Sequence, residues 1–133
     1  MDDERRSQAS WRPGPLRCQV DAGGYSILVD EPESAGGTGQ GPQPTDLLLA
    51  SMTSCLTLAV AWSARKRGLE PTAIEVTGRA DYDGLRFRRV ELTVRCEGIA
   101  ELDARRIVAS AERVCYVSNT LRTPPELVVT VLA

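Results

Sequence analysis

Four cysteines and no histidine bound the chemistry open to this 133-residue chain. The thiols are Cys18, Cys55, Cys96 and Cys115. Histidine is the usual general base, the usual partner of a nucleophilic Ser or Cys, and the commonest zinc ligand. Its absence argues against triad hydrolases and most zinc enzymes. Tetrahedral four-cysteine zinc sites use close C-x-x-C pairs, and these cysteines are widely dispersed, so no metal or other cofactor is expected. Without an export signal the thiols stay reduced, so a structural disulfide framework is not expected either. Thiol chemistry and plain burial remain. In ERVCYVSNTL, residues 112–121, Cys115 closes an amphipathic helical pattern just before a polar Ser-Asn-Thr turn. That placement is compatible with core filling and with half of a reactive pair.

The composition, 42% apolar and 26% charged, fits one globular domain with one core. A formal net charge of −2 and a pI near 5.2 provide no field for a polyanion, despite the short run Arg86-Phe87-Arg88-Arg89. Nucleic acid is therefore not an expected partner. Residues 1–14 are polar and charged, end at Pro13-Gly14-Pro15, and lack the apolar centre of a secretory signal. They read as a disordered arm ahead of a single domain over 15–133, in a cytoplasmic protein.

Two hairpins and two helices have to position the thiols. Leu16 to Val20 and Tyr25 to Val29 predict short strands joined by the turn Asp21-Ala22-Gly23-Gly24. The loop DEPESAGGTGQGPQP, residues 30–44, lacks the G-x-x-x-x-G-K-[ST] spacing of a phosphate loop and reads as a flexible connector. From Thr45 the pattern TDLLLASMTSCLTLAVAWSARKRGL predicts a helix of about six turns. Thr45 would be its N-cap, Asp46 would complement the positive end of its dipole and Arg65, Lys66 and Arg67 the negative end, and Gly68 would stop it. The residues between Asp46 and Arg65 are uncharged, but Ser and Thr interrupt them. A helix buried on nearly all sides, or across a subunit interface, is preferred to a membrane span.

In that helix Leu48, Met52, Cys55, Ala59 and Trp62 fall on one stripe by spacing. After Gly68, Ile74, Val76, Gly78, Ala80 and Tyr82 alternate along one strand and Val90, Leu92, Val94 and Cys96 along the next, with Asp83-Gly84 as the turn. Cys96 falls on the core face, and Cys18 lies in the first strand with the same structural reading. A second helix from about Glu101 to Val114 carries the stripe Ala104, Ile107, Val108 and Ala111, which Cys115 continues. A closing strand, Leu127 to Leu132, completes the order β-β-α-β-β-α-β, an α+β fold with mainly antiparallel pairing.

Two stretches in this order carry a resemblance. Gly41-Pro42-Gln43-Pro44-Thr45-Asp46-Leu47-Leu48-Leu49-Ala50 followed by Ser54-Cys55, and Arg113-Val114-Cys115-Tyr116-Val117-Ser118-Asn119-Thr120-Leu121, are similar to the OsmC/Ohr family of small peroxide-handling redox proteins. The similarity runs from about Asp30 to the C-terminus. It implies an intertwined homodimer with long central helices packed between antiparallel sheets. It also implies a thiol peroxidase that reduces organic hydroperoxides or hydrogen peroxide, with Cys55 as peroxidatic cysteine, Cys115 as resolving cysteine, and an external thiol or dithiol as reductant. Family peroxidases support the thiol with a hairpin arginine and a glutamate directly after the Pro of the first motif. Here Arg17 is the hairpin arginine to consider, that position is Thr45, and the acidic residue comes one step later at Asp46, as in the OsmC-like branch. The alternative is a non-catalytic dimer of the same fold that binds a hydrophobic small molecule.

Overall fold

The computed structural model describes residues 4–132, which form two compact units divided between Leu48 and Leu49. In the N-terminal unit, strands β1 (Ser7–Ser10), β2 (Arg17–Ala22) and β3 (Tyr25–Asp30) form an antiparallel sheet in that order. Gly23 and Gly24 join β2 to β3 with φ of 59° and 84°. Two consecutive positive φ values match the twist of the strands they connect. The sequence reading of residues 1–14 as a disordered arm does not hold over β1, where Ser7–Ser10 pairs with Gln19–Ala22. Small polar residues give no hydrophobic signal, and here the backbone ladder along the edge of β2 supplies the order. Residues 1–3 lie outside the described residues.

The glycine-rich loop after β3 is not a loose connector. It winds around the carboxylate of Asp30, which is 1% exposed. One carboxylate oxygen accepts the Thr38 N–H at 3.0 Å, and the other accepts the Thr38 hydroxyl at 2.5 Å and the Gln40 N–H at 3.0 Å. A side chain at Gly37 would place its Cβ 1.9 Å from the Glu31 carbonyl oxygen, so only glycine lets the loop close here.

Helix α1 spans Pro44–Lys66. Its first backbone bond runs from the Leu47 N–H to the Gln43 carbonyl, which makes Gln43 the N-cap and puts Pro44 at the first helical position, where a missing N–H costs nothing. Thr45 is therefore inside the helix. Asp46 reaches back to accept the Gln43 N–H at 2.9 Å, the acidic half of a capping box.

In the C-terminal unit, β4 (Ala73–Asp83) and β5 (Arg86–Glu97) form an antiparallel hairpin turned at Gly84, with a bulge at Asp81/Tyr82. Helix α2 (Glu101–Val114) follows, then a short helix α3 (Tyr116–Arg122). Leu56, Val60 and Ala64 of α1 and Ile107 and Ala111 of α2 form the core with Cys115, flanked by Ile74, Val76, Leu92, Val94 and Cys96 of the sheet. The α2 stripe is the one its periodicity predicts. The predicted α1 stripe holds in part: Met52 is buried and Cys55 and Ala59 pack against the core, but Leu48 and Trp62 are exposed and the buried centre is Leu56, Val60, Ser63 and Ala64. With Leu58 71% exposed the helix is open on one face, not buried on nearly all sides. A helix apolar all round carries no periodic signal, so the face it buries is chosen by fit to Ile107 and Ala111. Fit is close at Gly78, where a Cβ would lie 2.8 Å from the Thr53 methyl and 3.0 Å from Leu49. By length and a mean hydropathy of 1.7, α1 would be able to cross a membrane, but its buried stripe packs as a core helix does.

The strand expected over Leu127 to Leu132 is absent. Residues 124–132 have no strand pairing among the described residues, and Leu127, Val129, Val131 and Leu132 are each more than 80% exposed. Val and Leu favour a strand, but a strand forms only where its backbone joins a neighbouring edge, and this segment joins none among the described residues. The described elements thus run β-β-β-α-β-β-α-α, an α+β fold with antiparallel sheets.

The Asp30 anchor generates a pH signature. The Thr38 hydroxyl is the strongest influence, and with the Thr38, Gln40 and Glu31 amides it outweighs burial and lowers the carboxyl from 3.8 to about 2. A depressed carboxyl contributes stability that is complete above its unfolded value and fades as pH falls through the folded one. Asp30→Asn is expected to melt at a lower temperature than the wild type at pH 7, with the two curves converging as pH falls from about 4 to about 2. Thermal melts across that range test this, and a constant difference down to pH 2 would contradict it.

Candidate functional site: two sulfurs at a helix break

Cys55 and Cys115 come together in the C-terminal unit. Cys115 stands between α2 and α3 with φ −78° and ψ 104°, an extended residue that ends one helix and begins the next. Its side chain is 0% exposed, and Cys55 of α1 packs against the same core cluster, half-buried. Each thiol acts directly on the titration of the other, Cys115 raising Cys55 and Cys55 lowering Cys115. Cys96 is half-buried on the β5 face toward the core, where burial pushes its thiol up, and Cys18 pairs with Val29 in the N-terminal sheet.

The polar Ser-Asn-Thr segment beyond Cys115 is not a turn. It forms α3, and it supplies the groups around the sulfurs. The Ser118 hydroxyl donates to Cys115 Sγ at 3.2 Å. The Asn119 side-chain amide donates to the Arg113 carbonyl at 3.1 Å, satisfying one of the acceptors left open where α2 stops. Val117 and Leu121, one helical turn apart, were the available sequence signal for α3.

These surroundings push the two thiols in opposite directions. Burial acts to raise Cys115, but the Ser118 hydroxyl and amide, Cys55 and the Val117 amide outweigh it, and the thiol ends below its ordinary value. Burial dominates at Cys55, and Cys115 adds to it, so this thiol ends above its ordinary value although the Val117 and Tyr116 amides oppose the rise. Of the two sulfurs, Cys55 therefore holds a proton more tightly and Cys115 gives one up more readily.

Access runs the other way. A cleft of about 670 Å³, lined by Leu58, Ala59, Trp62, Val114, Tyr116 and Asn119, reaches Cys55. Cys115 does not line it. An apolar molecule in this cleft meets Cys55 first, with Cys115 behind it.

The other two residues singled out from the sequence have partners in the N-terminal unit. The Arg17 guanidinium donates to Thr38 Oγ1 at 3.4 Å and to Gln40 Oε1 at 3.3 Å, both on the loop around Asp30. Asp46 is held by the Gln43 N–H at the start of α1. Among the described residues no group of three or more His, Cys, Asp or Glu side chains is arranged to hold a metal ion.

Comparison with known proteins gives the fold its context. An OsmC-like protein of Mycoplasma pneumoniae shares 17% identity and superimposes with a TM-score of 0.76, over 93% of this chain and 91% of that one. An organic hydroperoxide resistance protein of Elizabethkingia anophelis, 20% identical, does so with a TM-score of 0.73 over the same shares of the two chains. An organic hydroperoxide resistance protein OsmC of Legionella pneumophila, 21% identical, gives 0.68 over 90% and 89%. A comparison with curated proteins found no match. The model of the OsmC-like protein family matches residues 37–130, which include both cysteines of the pair, α1, the β4–β5 hairpin, α2 and α3; the chain belongs to the OsmC family.

Proposed function

We propose that this OsmC family member is a thiol-dependent peroxidase that reduces organic hydroperoxides or hydrogen peroxide through Cys55 and Cys115, with a redox role of the kind named for its structural relatives. The observation that carries the reading is the pairing itself: an accessible thiol at the floor of an apolar cleft, backed by a buried thiol of lower pKa. Cys55 passes its proton to Cys115 and attacks the terminal peroxide oxygen. The O–O bond breaks, the alkoxide leaves and takes up a proton as the alcohol, and Cys55 becomes a sulfenic acid. Cys115 gives the proton it took from Cys55 to the leaving alkoxide and, as a thiolate stabilised by the Ser118 hydroxyl and nearby amides, attacks that sulfur. The S–O bond breaks, hydroxide leaves and is protonated to water, and a disulfide forms. An external dithiol reduces it by exchange and is itself oxidised to a disulfide. Arg17 and Asp46 organise the loop and the start of α1, and neither is assigned a step. The protein acts in the cytoplasm, where dithiol reductants are available.

The acting species is a homodimer. The unpaired apolar segment 127–132 leaves more exposed apolar surface than a monomer normally carries. A second copy, offering the same face by two-fold symmetry, covers it. The second reading, a non-catalytic binder of hydrophobic molecules, is favoured by the apolar cleft alone.

One equivalent of cumene hydroperoxide is expected to remove two thiols from the reduced protein and crosslink Cys55 to Cys115 in peptide maps. Cys55→Ser loses peroxide consumption, and Cys115→Ser consumes peroxide but accumulates sulfinic acid on Cys55. Four unchanged thiols would sink the peroxidase and leave the binder. Ser118→Ala raises the pKa read from thiolate absorbance and slows disulfide formation about tenfold, as loss of a hydrogen bond to a charged group implies, while sulfenic acid formation is not slowed. Equal slowing of both steps would argue against a role confined to Cys115. Sedimentation is expected to give twice the 14.4 kDa chain mass, and truncation after Pro125 to shift the population toward monomer. A wild-type monomer at micromolar concentration would overturn the dimer.

A further inference from the structure

A second cavity, of about 400 Å³, adjoins the thiol cleft, and its chemistry is different. It is lined by Trp62, Ser63, Lys66 and Arg67 of the C-terminal end of α1 and by Ser110, Arg113 and Val114 at the end of α2. Trp62 and Val114 also line the cleft over Cys55, so the two spaces share a wall.

Three cations converge on it. Among the described residues, none of Lys66, Arg67 and Arg113 forms an ion pair with a carboxylate, although Arg79, Arg89, Arg105 and Arg122 do. Lys66 Nζ sits 4.9 Å from the centre of the Trp62 ring, and Arg67 Nη2 donates to Ser110 Oγ at 2.9 Å. Helix dipoles explain why basic residues end a helix, and that accounts for each cation separately. It does not account for three around one cavity, nor for Ser63. The hydroxyls of Thr53, Ser54 and Thr57 each return a bond to a carbonyl of the preceding turn. Ser63 Oγ, in the same helix and 2% exposed, has no partner. A buried hydroxyl without a partner is costly, and this one lines a cationic cavity.

We infer that Lys66, Arg67, Arg113 and the Ser63 hydroxyl form an anion subsite for the carboxylate of an amphipathic ligand whose apolar body passes Trp62 and Val114 into the cleft. Planar guanidinium groups suit a carboxylate, and the ring of Trp62 gives the first carbons an apolar face. The apolar half of the ligand rests on the cleft assigned above to the substrate, whereas the anion subsite stands on its own residues.

The test is a titration of the reduced wild-type protein, with no peroxide present, by decanoate, decanol and inorganic phosphate. Intrinsic fluorescence reports on Trp62, in a Trp11→Phe background. Decanoate is expected to bind saturably, at least tenfold more tightly than decanol, and to weaken steeply between 50 mM and 500 mM salt. Lys66→Gln and Arg113→Gln each weaken decanoate about tenfold, as loss of a charge-assisted bond implies, and leave decanol within twofold. Circular dichroism checks that these surface variants fold, and the salt series on the wild type stands without them. Equal affinity for decanoate and decanol, or decanoate binding indifferent to salt and to both substitutions, would overturn the subsite. Phosphate binding as tightly as decanoate would overturn the amphipathic assignment. Because no turnover is involved, a failure here leaves the peroxidase reading untouched, and the absence of peroxide reduction leaves the subsite untouched.

Discussion

The C-terminal unit depends on one broken helix. Had α2 continued through Cys115, its stripe of Ile107 and Ala111 would simply have gained another buried residue. Instead the chain becomes extended for a single residue and then resumes as α3. That break keeps the Cys115 side chain in the core while turning the first amides of a new helix, and the Ser118 hydroxyl, toward sulfur. Burial would normally make a thiol inert. Local donors placed at the break reverse this for Cys115 but not for Cys55, and the difference between the two sulfurs follows from where the chain bends.

The division of charge also answers how a thiol can be supported in a protein without histidine. Cys55 lies deep in α1, several turns from its positive end, too far for the dipole to act on it. What it has instead are the Val117 and Tyr116 amides at the helix break, which oppose the rise that burial and Cys115 impose. The two sulfurs then titrate as a unit, and an apparent pKa measured on either belongs to the pair.

Much of this was legible in the residues. Alternation over 74–82 and 90–96 describes the β4–β5 hairpin, the periodicity of α2 gives the stripe that runs through Cys115, and the two motifs around the cysteines point to the family whose model the chain matches. The misses have separate causes. Ser7–Ser10 forms a strand through backbone pairing that no side chain announces. In α1 apolar residues fall on every face with Ser and Thr scattered among them, so spacing does not choose between the stripe through Leu48 and Trp62 and the one through Leu56 and Val60. Gly37 and Thr38 looked like components of a loose loop because the organising residue, Asp30, lies several positions earlier and acts through space. Helix α3 was hidden by the turn-forming character of Ser118 and Asn119, which in the fold serve as a sulfur donor and a carbonyl cap.

The position of Cys55 on α1 has a consequence of its own. It sits on the seam of the helix, with Leu56 buried on one side and Leu58 and Trp62 open on the other. Water on that open side is part of the medium that sets its proton affinity, since burial is the main influence raising this thiol. Whatever comes to rest on the outer face displaces that water and deepens the burial. The sulfur is thus a built-in gauge of its own surroundings, its hold on the proton tightening as the seam is covered.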